Sequence, residues 1–383
     1  MNNALVLGGG RGIGLAVVKQ LLKRDFDTIY IVGLHSPEDL EVSSSNRVKF
    51  IKANFVNEDL SFLREIDPVN FLFISVGFGR VAKFSDLKEI EISNSIKVNQ
   101  LIITKVLHYY FSQINSQKDF FSGVMVSISG LLSSPLFSVY GSTKAALAKL
   151  IESLNIELLK EKTKNRILDI SPGHIEGTSF YGKDTNLKTL DELAINIIEK
   201  IYCRETLYIP KFDEVYNQVL KNYNENPTQF GIDSYNYKKK SERISTEPQL
   251  KVGYLSGTFD LFHIGHLNLL KRAKEYCDYL VVGVHESGKW KGKDTFVSFE
   301  NRVEIVKSIK YVDKVIPSFT EDSDAYESVK YDYLFVGSDY KGTERFNKYE
   351  QFFKDKGVQI IYFPYTKDVS STELRDQINK GEY

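Results

Sequence analysis

Short apolar runs alternate along this chain with longer amphipathic stretches. Ala4 to Leu7, Phe71 to Ser75, Val124 to Ile128 and Ile167 to Ser171 read as strands, while segments such as Leu15 to Arg24 repeat their apolar positions at a helical period. Strands covered by helices on both faces carry near-continuous apolar sequence, so this alternation predicts a parallel sheet with helices on both sides. The pattern breaks after Leu207 to Pro210 and a helix predicted over Asp213 to Asn222. A polar, tyrosine- and lysine-rich stretch then runs from Tyr223 to Leu250 with no apolar period. The alternation restarts at Val252 and continues through Leu280 to Val284, Val315, Tyr333 to Val336 and Ile360 to Phe363. The expected fold is α/β: two doubly wound parallel-sheet domains, residues 1–222 and 251–383, joined by a polar linker over 223–250. Phe230, Tyr235 and Tyr237 give that linker apolar groups to lay on a surface.

Length and charge agree with this division. A chain of 383 residues is long for one domain and comfortable for two. Its 50 basic and 50 acidic side chains cancel, and the charged residues are interspersed, which argues against a nucleic-acid partner or a membrane-seeking surface. The cysteines, Cys203 and Cys277, fall one in each domain, without a disulfide framework or metal-ligand spacing. The chain opens on a strand rather than a basic leader, and no apolar run reaches membrane-spanning length, so cytoplasmic residence is expected.

The chemistry concentrates in two strand-to-helix turns. In the second domain a strand over Lys251 to Ser256 enters Gly257-Thr258-Phe259-Asp260-Leu261-Phe262-His263-Ile264-Gly265-His266, and a helix is predicted from Leu267 to Tyr276. Backbone N–H groups and the helix dipole favour phosphate at such a junction. His263 and His266, three apart, project from about one face and can stabilise charge on a triphosphate cleaved between its α and β phosphorus atoms.

This segment resembles the HxGH signature of the cytidylyltransferase-type nucleotidyltransferases, and within them the glycerol-3-phosphate cytidylyltransferases, from about Lys251 to the end of the chain. The resemblance implies that Gly257, Thr258 and Phe259 bind nucleotide. It implies the same for Lys293, on a loop with Lys289 and Lys291, and for Arg302 of Phe299-Glu300-Asn301-Arg302, which would contact the triphosphate. Asp339, in Val336 to Lys341, would lie over the nucleoside. Ser370, Ser371 and Thr372 match the late RTxGISTT motif, from which the chain departs at Tyr365 and Asp368. Those departures leave the base open, and an ADP-forming transferase of the heptose-nucleotide type is the alternative.

The first domain opens on Gly8-Gly9-Gly10-Arg11-Gly12-Ile13-Gly14 after its first strand, a turn that lets backbone approach a pyrophosphate. Tyr140 and Lys144, four apart on a helix, share a face, and the ammonium would favour the phenolate form of Tyr140 near neutral pH. Together these features resemble the short-chain dehydrogenase/reductase family over about residues 1–222. The resemblance implies cofactor contacts at Gly8, Arg11, Gly12, Ile13, Gly14, His35, Ser36, Ser75, Gly77, Pro172, Gly173 and Thr178. It also implies an Asn99-held relay water and a catalytic serine. Ser75-Val76-Gly77 stands where the family carries its NNAG turn, with the asparagines missing. Ser129, nearer the carboxyl end of its strand, is preferred to Ser127, which has the commoner spacing to Tyr140.

Charge points to the cofactor. Ile29 to Ser36 offers no carboxylate for the ribose hydroxyls of NAD, while Arg11, His35 and Ser36 can receive a 2′-phosphate, so NADPH is expected. A reductase beside a cytidylyltransferase implies that a ketose phosphate, such as ribulose 5-phosphate, is reduced to an alditol phosphate. CTP would then convert that phosphate to a CDP-alditol for capsule or another surface polymer, with Mg²⁺ offsetting the leaving pyrophosphate. Small-molecule substrates and a homodimer are the expected partners. A chain in which one domain serves only as a binding scaffold is the other alternative, supported by the missing asparagines.

Overall fold

The computed structural model of the chain describes residues 2–56, 60–173, 175, 187–241, 244, 250–287 and 294–364. The chain divides into two compact units, residues 1–87 with 92–246, and residues 88–91 with 247–383.

In the first unit the strands are β1 (Asn3–Leu7), β2 (Thr28–Gly33), β3 (Val48–Lys52), β4 (Phe71–Ile74), β5 (Phe121–Met125), β6 (Ile167–Ile170) and β7 (Leu207–Tyr208). They form one sheet in the order β3-β2-β1-β4-β5-β6-β7, and every pairing is parallel. The helices are α1 (Gly12–Leu22), α2 (Leu40–Ser43), α3 (Glu89–Ile96, whose first three residues belong to the second unit), α4 (Ile102–Ile114), α5 (Ser138–Lys160), α6 (Leu187–Tyr202), α7 (Asn217–Glu225) and α8 (Pro227–Lys240). Alternate strand residues feed two apolar layers. Leu5, Leu7, Leu72 and Ile74 pack with Ile103, Val106, Leu147 and Ile151 of α4 and α5. Ala4, Val6, Phe71 and Phe73 pack with Leu15, Val18, Ile197 and Ile201 of α1 and α6. Both layers exclude water, which explains why these strands read as unbroken apolar runs.

The second unit holds β8 (Val252–Gly257), α9 (Ile264–Tyr276), β9 (Tyr279–Val284), α10 (Phe299–Lys307), β10 (Lys314–Pro317), α11 (Asp322–Val329), β11 (Tyr333–Gly337), α12 (Glu344–Phe353) and β12 (Gln359–Phe363). Its sheet runs β10-β9-β8-β11-β12, again wholly parallel. In each sheet the strand order reverses beside the first strand, between β1 and β4 and between β8 and β11. Crevices form at the carboxyl ends of strands at such reversals.

Two boundaries differ from expectation. The β5 strand ends at Met125, because Ile128 to Gly130 turn into a short 3₁₀ segment. The stretch expected as linker carries α8, started by Asn226, whose side chain accepts from Gln229 N at 3.0 Å, with Pro227 in the first turn. Lys238 of α8 donates to Ser134 Oγ at 2.8 Å and Pro135 O at 2.9 Å, which fastens the helix to the first unit. A chain ending at Asn222 would cut α7 and lose these bonds. It is therefore expected to melt at a lower temperature than a chain ending at Ser241, and equal melting would show that α8 contributes nothing.

Candidate active sites

The glycine turn is shaped by close contacts at Gly8, Gly10 and Gly14 and by backbone conformation at Gly8 and Gly12. Gly8 has φ +82° and Gly12 φ +57°, the left-handed region that favours glycine. A Cβ on Gly14 would lie 2.2 Å from Gly8 O and 2.5 Å from Ser75 Oγ, and one on Gly10 would lie 2.4 Å from His35 O. Ser75, leaving β4, donates toward Leu7 O at 3.1 Å and Gly8 O at 3.2 Å, so it braces the turn from the neighbouring strand. The helix α1 begins at Gly12 rather than Leu15, which places Ile13 and Gly14 in its first turn. Arg11 is extended at the N-cap and exposed, and His35 and Ser36 are exposed beside the turn. Glu38 N donates to Gly10 O at 3.1 Å, tying this corner together.

Asn99 sits where the helix between α3 and α4 loosens into a π-helical turn, Lys97–Leu101. Such turns recur at functional sites. The Asn99 side chain is fully buried: Oδ1 accepts from Phe78 N at 2.9 Å, and Nδ2 donates to Phe78 O at 2.8 Å and Ser95 Oγ at 3.0 Å. Its amide therefore clamps the turn after Gly77 and is already committed within the protein. Gly77 lies close by, since a Cβ there would be 3.3 Å from both Asn99 Oδ1 and Lys144 Nζ.

Tyr140 and Lys144 fall on one face of α5. Lys144 Nζ lies 5.6 Å from the centre of the Tyr140 ring, which stacks on Phe137 at 4.2 Å. The ammonium is buried and donates to Met125 O at 2.8 Å. Burial pushes its pKa down to about 8, opposed by the Asp169 carboxylate. The 3₁₀ turn carrying Ser129 presses on this helix: a Cβ on Gly130 would lie 2.8 Å from Lys144 C and O, and one on Gly141 3.2 Å from Ser129 O. Ser127 Oγ accepts from Ser129 N at 3.2 Å, so it serves as the cap of that turn. Pro172 O accepts from Ile128 N at 2.9 Å, and Gly173 packs under Tyr216, whose hydroxyl lies 1.6 Å from where a Cβ would be. Thr178 lies outside the described residues. Tyr216 and Asp169 had no sequence signal; only the fold brings them to this site.

In the second unit His263 caps α9. Its Nδ1 accepts from Gly265 N at 3.0 Å, and His266 Nδ1 accepts from His263 N at 3.3 Å. The rings stand 4.0 Å apart. Because both Nδ1 atoms accept, this bonding assigns the ring proton of each neutral imidazole to Nε2. Burial lowers the pKa of His263, and burial with the His263 neighbour lowers that of His266 to about 4, against a smaller upward pull from Asp260. Phe259 and Phe262 supply the apolar wall, their rings 5.3 and 5.4 Å from His266. The loop holds left-handed φ at Phe259 (+53°) and Leu261 (+48°), conformations costly for such side chains and found at functional turns. Gly257 permits this, since a Cβ there would meet the Phe259 ring at 2.9 Å.

Arg302 is bonded largely to backbone carbonyls. Its guanidinium is fully buried and donates to Val297 O, Thr258 O, His285 O and Glu286 O. Asp260 accepts from Phe296 N and Val297 N. These two residues tie the Thr258 loop to the segment entering α10. Asp339 is exposed in a 3₁₀ turn at the carboxyl end of β11, on the strand beside β8. Lys293, Ser370, Ser371 and Thr372 lie outside the described residues. Among those described, no cluster of three or more His, Cys, Asp or Glu side chains could hold a metal ion, and no helix is long and apolar enough to cross a membrane.

Comparison with known proteins follows the same division. The short chain dehydrogenase family matches residues 2–187, and the cytidylyltransferase-like family matches residues 254–377. Glycerol-3-phosphate cytidylyltransferase of Bacillus subtilis (strain 168) is 36% identical over 126 residues, covering 32% of this chain and 92% of its own. That of Staphylococcus aureus (strain NCTC 8325 / PS 47) is 36% identical over 126 residues, covering 32% of this chain and 90% of its own. A solved 7β-hydroxysteroid dehydrogenase shares the first unit's fold, with TM-score 0.51 and 19% identity over 61% of this chain and 96% of its own. The chain therefore joins an N-terminal domain of the short-chain dehydrogenase family to a C-terminal domain of the cytidylyltransferase-like family, similar to glycerol-3-phosphate cytidylyltransferase.

Proposed function

We propose that this chain makes a CDP-activated alditol in two steps. A ketose phosphate such as ribulose 5-phosphate is first reduced to an alditol phosphate. The alditol phosphate oxygen then attacks the α-phosphorus of CTP, forming one P–O bond as the α–β bond breaks and pyrophosphate leaves. The product, CDP-ribitol, CDP-glycerol or a relative, would be a donor for a surface polymer such as capsule. One observation carries the reading: a Tyr140–Lys144 pair stands in the same chain as a domain 36% identical to glycerol-3-phosphate cytidylyltransferase. A transferase of that type needs an alditol phosphate, and a carbonyl reductase can supply it.

The cradle left by Gly8, Gly10 and Gly14 suits a dinucleotide pyrophosphate. Bound NADPH would supply hydride to the substrate carbonyl carbon. Tyr140 gives the carbonyl oxygen its proton, Ser129 hydrogen-bonds that oxygen, and Lys144 supports Tyr140 electrostatically. Asn99 keeps the Phe78 turn in place behind them. At the second site the Nε2–H groups of His263 and His266 donate to phosphate oxygens as charge builds on them. A Mg²⁺ accompanying CTP would be held mainly by triphosphate oxygens, as this ion commonly is. Both thiols are free, with Cys203 exposed, which suits a reducing compartment such as the cytoplasm.

Incubation with a panel of ketose phosphates, NADPH and CTP, followed by mass measurement of the product, tests the reading. A product retaining its keto group would reverse the proposed order. The departures at Tyr365 and Asp368 favour a second reading, ATP in place of CTP, and each nucleotide supplied alone distinguishes them. Cofactor choice has its own test. Arg11 is exposed beside the His35–Ser36 corner, so Arg11→Ala is expected to weaken NADPH more than NADH, because only NADPH presents a 2′-phosphate to the guanidinium. Equal weakening would assign Arg11 to shaping the turn.

A further inference from the structure

Asp169 takes no part in the steps above, yet it is a carboxylate with 6% exposure inside the dehydrogenase sheet. Strand residues alternate between faces. Ile167 packs in the layer of α4 and α5, whereas Leu168 and Ile170 pack in the layer of α1 and α6, so Asp169 faces α5, the helix that carries Tyr140 and Lys144. A buried carboxylate is costly without compensation. Here Ser171 Oγ donates to Asp169 Oδ1 at 2.7 Å. The other compensation is Lys144, which is 3% exposed and bonds Met125 O. Met125 pairs with Ile170 and Val124 with Asp169 across β5 and β6, which sets the ammonium one step along the sheet from the carboxylate.

We propose that Asp169 is a positioning residue of the reductase, a counterion braced by Ser171 that holds the Lys144 ammonium beneath Tyr140. This rests on the reductase reading given above. The helix α5 also carries Lys149, Glu152, Glu157 and Lys160, but none of these charges shifts either member of the pair. The β5 strand offers Ser122 and apolar groups, β7 sets Leu207 opposite Asp169, and Thr143 of α5 and Asn99 of the π-helical turn are neutral. Tyr140 is the remaining titratable neighbour, across the Lys144 ammonium.

The pH dependence follows from the directions of the shifts. Burial lowers the Lys144 pKa and Asp169 raises it, leaving it about 8. Burial raises the Asp169 pKa to about 6, against Ser171 and Lys144, which lower it. Between these values both groups are ionised; as pH rises through about 8, Lys144 loses its proton and Tyr140 its support. Ketose-dependent NADPH oxidation by the full chain should therefore fall on a basic limb near that pH. Asp169→Asn removes the charge that sustains the ammonium, so the limb should move to lower pH by about one unit, the low end of what an adjacent opposite charge does. Ser171→Ala keeps the charge and should leave the limb in place. Should the asparagine variant fail to fold, Asp169→Ser carries the same expectation. In the parent the limb should stay put between low and high salt, because a buried pair is poorly screened. An unmoved limb in Asp169→Asn or Asp169→Ser, or a parental limb that follows salt, overturns the proposal. Parental protein with no ketose-dependent oxidation at any pH defeats the reductase reading itself, and this inference with it.

Discussion

Tyr140→Phe is expected to stop formation of the CDP-alditol from ketose phosphate, NADPH and CTP, with NADPH oxidation falling by about a thousandfold, within the range of a lost general acid. Phenylalanine keeps the ring that stacks on Phe137 at 4.2 Å and removes only the hydroxyl, so packing of α5 should be little disturbed. The carbonyl oxygen then loses its general acid, since the Lys144 ammonium is buried against Met125 O and the Ser129 hydroxyl, which hydrogen-bonds that oxygen, is a far weaker acid than a phenol. Supplying the alditol phosphate directly should restore the CDP-alditol at the parental rate, because the histidine site is untouched. Parental turnover from the ketose by the Phe variant would sink the assignment of Tyr140. Failure of added alditol phosphate to restore product would show that the transferase takes some other acceptor.

What could be read from the sequence was local chemistry. Gly8 to Gly14, Tyr140 with Lys144, and His263 with His266 each lie within one turn or helix, so spacing alone fixes which groups share a face. Strand positions were also legible, because burial on both faces leaves near-continuous apolar runs. What escaped depends on contacts between distant segments. Nothing local to Arg302 shows that carbonyls of Thr258, His285, Glu286 and Val297 converge on it from three loops. Asp169 looks like an ordinary strand polar residue until sheet pairing turns it toward α5. The helix α8 lacks an apolar period, yet Asn226-Pro227 is a start signal that the polar composition masked. The two serines meet the same kind of contact. Ser127 Oγ accepts the capping N–H and keeps its own O–H to give, while Ser129 sits in the turn that presses on α5, so these contacts do not choose between the two hydroxyls.

His266→Ala is expected to lower CTP-dependent pyrophosphate release by at least about a hundredfold, since one preorganised donor to a developing oxyanion commonly contributes about 3 kcal/mol. NADPH oxidation should survive, because the substitution lies in the other unit. The alanine also removes the acceptor for His263 N, part of the cap of α9, so the melting temperature must be compared; a folded variant with lost turnover isolates the chemical role. The imidazole acts here as a neutral donor. Its pKa is lowered to about 4, chiefly by burial against Phe259 and Phe262, so it gains a proton only as pH falls through that value. Cytidylyl transfer should therefore show no loss attributable to His266 between mildly acidic and neutral pH. His266→Lys, which would place a fixed charge in the same apolar pocket, should not rescue the rate. Rescue by lysine, or an acid-dependent gain in the parent centred near the ordinary histidine range, would mean that an imidazolium and not an Nε2–H dipole stabilises the leaving pyrophosphate.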